Sequence, residues 1–90
     1  MTTQEITRDR WLKCQLDKGM FSDEVAVTYP SSGTPVCSVF VPAQAVHGQL
    51  GATGKVRVRI VERQGSLLAV LPSNYSDSVR VQEQDVSDTP

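Results

Sequence analysis

Apolar and polar residues alternate along most of this chain with a period of two. The segment Lys55 to Glu62 shows it most plainly. Val56, Val58 and Ile60 share one side, and Lys55, Arg57 and Arg59 share the other. Successive side chains of a strand point to opposite faces, so this pattern predicts a half-buried strand. Its register is well defined, because a slip of one residue would bury three cations. The same reasoning gives a strand over residues 10–16, with Leu12, Cys14 and Leu16 inward and Trp11, Lys13 and Gln15 outward. A strand over 24–29 turns Val25, Val27 and Tyr29 to one side. Residues 36–41 form a strand that is largely apolar on both sides, which predicts cover on both faces. Leu67 to Leu71 is an unbroken apolar run suited to a central strand, and 78–82 form the last strand.

Turn residues punctuate these strands where the pattern breaks. Gly19 and the Arg63-Gln64-Gly65-Ser66 segment make tight turns; 30–35 and 72–77 are loops. Pro42 ends a strand because it has no N–H to donate, and Ala43 to Val46 suits one helical or 3₁₀ turn. Met20 and Phe21 are expected to fold over one end of the core.

Ser38-Val39-Phe40-Val41-Pro42-Ala43-Gln44-Ala45-Val46 is echoed by Ser78-Val79-Arg80-Val81-Gln82-Glu83-Gln84-Asp85-Val86, with Ser, three Val and Gln in the same places. Each copy reads as a strand closing a three-strand unit, then a turn that returns a valine to the core. The fold expected is therefore all-β: a small six-stranded barrel or sandwich made of two βββ units related by a pseudo-twofold. Its single β-domain spans 10–86, with units at 10–46 and 55–86 and a glycine-rich connector at 47–54. Residues 1–9 are read as a flexible N-terminus and 87–90 as a disordered tail.

Composition narrows the function. Ninety residues suit one domain, and a net charge of −1 exerts no general pull on nucleic acid or anionic membrane. No apolar run approaches the roughly 18 residues of a membrane helix, and the polar start lacks a secretory signal, so a cytoplasmic protein is expected. Cys14 and Cys37 are read first as reduced core thiols, with a disulfide or a reactive thiol as alternatives. Two cysteines and the lone His47 are too few for a structural zinc site, and no cofactor is implied. His47 has no neighbouring acid, Ser or Cys. Asp23 and Glu24 are adjacent, so on a strand they point apart. No nucleophile–base motif appears, and the chain is read as non-enzymatic.

The second unit, in its order of strand, glycine turn, strand, loop and strand, resembles a segment of an SH3-like small barrel. Pro72-Ser73-Asn74-Tyr75 is similar to a tetrapeptide used by peptide-binding SH3 domains. The early acidic-aromatic segment and the tryptophan-rich groove of those domains are absent, so the resemblance carries architecture and not activity.

Two functions remain, ahead of a third, a small enzyme built at an oligomer interface. The leading expectation is a non-catalytic domain mediating protein–protein contacts, including association with itself. The alternative is nucleic-acid binding by the basic strand face of Lys55, Arg57 and Arg59, extended by Arg63 and Arg80. Side chains two apart on a strand stand about 6–7 Å from one another, a spacing that can follow phosphates. The simpler account of those cations is a solvated sheet face that blocks edge pairing, and that strand carries no aromatic for bases to stack on.

Overall fold

The computed structural model describes residues 6–90. Six principal antiparallel strands form a nearly closed barrel, and no α-helix occurs among the described residues. They are β1 (Ile6–Lys18), β2 (Glu24–Tyr29), β3 (Cys37–Pro42), β5 (Thr53–Arg63), β6 (Ser66–Val70) and β7 (Ser78–Val81), in the spatial order β3-β2-β1-β5-β6-β7. Two-residue strands, β4 (Val46–His47) and β8 (Val86–Ser87), follow 3₁₀ turns at Ala43–Ala45 and Glu83–Asp85. β4 pairs with β5, and β8 pairs with β1.

The two units are related as the sequence repeat suggests, and strand register shows it residue by residue. At the centre of the long β1–β5 ladder, Leu12 pairs with Val56. A twofold through that pair matches Leu16–Val27 with Ile60–Ala69, and Val25–Val41 with Leu67–Val81. It also matches Val46–Val56 with Val86–Leu12. Each unit thus sends its last short strand onto the first strand of the other.

The alternation predicted for β1, β2 and β5 holds. Leu12, Cys14, Leu16, Val25, Val27, Tyr29, Val56, Val58 and Ile60 are all buried in one core, joined by Val41, Ala69, Leu71, Val79, Val81 and Val86. The hairpin from β5 to β6 turns on Gln64 and Gly65, at φ 52° and 81°, the left-handed pair that matches strand twist in a two-residue turn.

Several expectations are corrected. β1 begins at Ile6, because Ile6 to Asp9 pair with Glu62 to Arg59; those residues are strand, and Met1 to Glu5 lie outside the described residues. The connector shortens to 48–52, since His47 belongs to β4 and Thr53 and Gly54 to β5. The tail is engaged: Ser87 pairs with Trp11, and Lys55 Nζ donates to Ser87 Oγ at 2.9 Å and to the Thr89 carbonyl at 3.1 Å. The outer face of β3 is uncovered, with Phe40 45% exposed and Val36 exposed beside it. Among the described residues only the 72–77 loop approaches that side, where Asn74 and Tyr75 line a groove with Phe40, and β3 pairs with β2 alone. Met20 and Phe21 are exposed rather than capping the core. They sit in the tight turn where Glu24 N bonds back to the Phe21 carbonyl, and Leu16 already fills that end.

Candidate interaction surfaces

The barrel is open along the edge of β3. Across it lies the 72–77 loop, pinned by Ser73 Oγ, which donates to Asp77 Oδ2 at 2.7 Å and accepts from Asp77 N at 3.1 Å. Ser76 adopts φ 50° in the same turn. Between strand and loop runs a groove whose apolar part is lined by Val39, Phe40, Asn74 and Tyr75. Tyr75 is 90% exposed, unusual for an aromatic in a chain so short of them. The groove continues past Phe40 to Pro42 and Pro72, where Asp23 and Glu24 lie. Asp77 marks its other end, and among the described residues no cation lines either part.

On the opposite side of the barrel lies the β1–β5 ladder. Lys55, Arg57 and Arg59 point outward as predicted, with Lys55 half-buried under the tail. Their partners are Lys13, Trp11 and Asp9. An aromatic therefore stands directly opposite Arg57, and His47 meets the Trp11 ring edge-on at 6.5 Å between centroids. Trp11, Lys13 and His47 were missed as members of this face. The outward parity of Trp11 and Lys13 was visible in the sequence, but their position across from β5 was not. Arg63 lies at the end of β5, opposite Ser66. Arg80 does not extend the stripe. It sits on β7, two strands from β5, and lines a different cavity with Arg8 and Arg10.

Tyr29 joins the units. Its hydroxyl donates to Asp85 Oδ2 at 2.7 Å and accepts from Gln82 N at 3.2 Å. Burial raises its pKa, and the bond to Asp85 adds to the rise because a phenolate there would face a carboxylate. Cys14 and Cys37 are both free thiols. β2 lies between their strands, and two strand spacings are about 10 Å, beyond the roughly 7 Å a disulfide tolerates. Burial pushes Cys14 up to about 12, and burial followed by the nearby Asp77 raises Cys37. Neither thiol has the electropositive setting that makes a nucleophile. Among the described residues no three His, Cys, Asp or Glu side chains stand together as metal ligands.

No protein family, curated relative or solved structure matches this chain.

Proposed function

We propose that this domain is a non-catalytic protein-binding module that takes an extended segment of a partner along the open edge of β3. The observation that carries this is the groove itself, with an apolar floor of Val39, Phe40 and Tyr75 and acids at both ends. An edge strand offers unpaired backbone groups to an added strand, and pockets for alternate side chains supply selectivity. The acids favour a segment with an apolar centre and Lys or Arg flanks. Pro72-Ser73-Asn74-Tyr75, the stretch similar to one in peptide-binding SH3 domains, lines the same groove. Selection from a displayed library of random extended peptides tests the proposal. Enriched sequences should alternate apolar residues between basic flanks and lose binding to Tyr75→Ser and Phe40→Asp. Enrichment of acidic peptides, or binding indifferent to both substitutions, overturns it. Self-association abolished by Phe40→Asp makes a second copy the occupant and removes the separate partner.

The position of Trp11 opposite Arg57 favours a second reading, binding of single-stranded nucleic acid on the β1–β5 face. Trp11 is the one tryptophan, so its fluorescence reports directly. Mixed-sequence single strands should quench it at low salt, and Arg57→Ala with Arg59→Ala should abolish the effect. Unchanged fluorescence at low salt rules this reading out.

A further inference from the structure

The inward alternation of β1 continues past Leu12 to Arg10 and Arg8, so the core-side parity of this strand carries two cations. They line a cavity of about 270 Å³ at one mouth of the barrel, together with Glu62, Leu67, Arg80 and Glu83. The pseudo-twofold makes these charges conspicuous. At the opposite mouth Arg10 is matched by Gly54, where an added Cβ would lie 2.4 Å from Leu16 Cδ1 and 2.7 Å from the His47 carbonyl. That mouth is plugged by a leucine, whereas its twin is open and charged.

Arg10 is only 12% exposed. Its Nε lies 2.9 Å from Asp88 Oδ1, but without hydrogen-bond alignment, so the buried N–H is unused. Leaving such a donor unsatisfied is costly unless something accepts from it. Arg8, Arg80, Glu62 and Glu83 form no ion pair among the described residues. A cavity holding three unmatched or poorly matched guanidiniums and two free carboxylates suits a ligand that carries both signs. A plain anion would meet the glutamates, and a plain cation the arginines.

We propose that this mouth binds a small zwitterion of the α-amino-acid class. Its carboxylate lies on Arg8, Arg10 and Arg80, its ammonium group on Glu62 and Glu83, and a short apolar side chain on Leu67 and Val81. The site is separate from the β3 groove, and neither depends on the other.

The test is a titration of the ¹⁵N-labelled full chain with L-valine, acetate and methylammonium at matched ionic strength. L-Valine should shift the amides of Gly65, Ser66 and Leu67 saturably, at least tenfold tighter than acetate. Arg8→Gln and Arg80→Gln, both at exposed positions, should each weaken it about tenfold without lowering the melting temperature. Glu62→Gln should abolish the preference over acetate, and Arg57→Gln on the far face should change nothing. Equal affinities for valine and acetate, no saturation, or shifts mapping to Arg57 and Arg59 overturn the proposal.

Discussion

Replacing Tyr29 with Phe keeps the ring in the core and deletes only the hydroxyl that ties β2 to the second 3₁₀ turn. The lost bonds are the 2.7 Å donation to Asp85 and the 3.2 Å acceptance from Gln82 N. A hydrogen bond to a charged group is worth about 1.5–3 kcal/mol and a neutral one about 0.5–1.5. The hydroxyl is part-buried, so water can resolvate Asp85 and recover some of this. A net loss of about 1–2 kcal/mol follows. A chain of 90 residues has roughly 4–13 kcal/mol in total, so the variant folds but melts lower, by about 4–8 °C for each kcal/mol. Urea titration followed by Trp11 fluorescence measures the loss. A cycle with Asp85→Ala isolates the coupling, which should be about 0.5–2 kcal/mol. The pH dependence has a definite sign. The folded-state pKa of Tyr29 is raised, so its contribution is complete below about pH 10 and lost as pH rises through the folded value. The Phe variant lacks that loss. A parent and variant that melt within a degree of each other, or a coupling of zero, would refute the clasp.

Val58 is buried and Arg57 exposed one position away, so their aspartate variants should behave oppositely. Val58→Asp loses about 1.5–3 kcal/mol of burial and adds several more for an unpaired charge, which unfolds the domain, while Arg57→Asp melts near the parent. Thermal melts by circular dichroism decide, and the reverse ranking places β5 inside out. Cys14 is fully buried with its pKa pushed up to about 12 against an ordinary 9, because burial penalises the thiolate, so this group leaves stability untouched below pH 9 and lowers it as pH rises from 9 towards 12. Cys14→Ala should therefore flatten alkaline unfolding over that window, and Cys37 should react with a thiol reagent well before Cys14 does; equal rates would contradict the burial.

Local chemistry was legible wherever it depends on which side of a strand a residue occupies. Alternation alone placed Val56, Val58 and Ile60 inside and Arg57 and Arg59 outside, and the echo of 38–46 in 78–86 anticipated the pseudo-twofold and a turn after each copy that returns a valine to the core. The errors arise where a period of two is silent. It states a face but not a neighbour, and it cannot tell whether a face will be covered. Phe40 looked buried because its strand is apolar on both sides, yet it is 45% exposed, and among the described residues no strand covers its side of β3.

The order of strands decided the rest. The meeting of Trp11 with Arg57, of Arg80 with Arg8 and Arg10, and of Tyr29 with an acid 56 residues away all follow from ladder register and barrel curvature. These are long-range properties, settled by burial of the shared core and not by any short stretch of residues. From its own pattern the chain specified an all-β fold, most of its turns and the inward faces of β1, β2 and β5. The tertiary structure alone brought the candidate surfaces together, because each is assembled from side chains that only strand pairing makes adjacent.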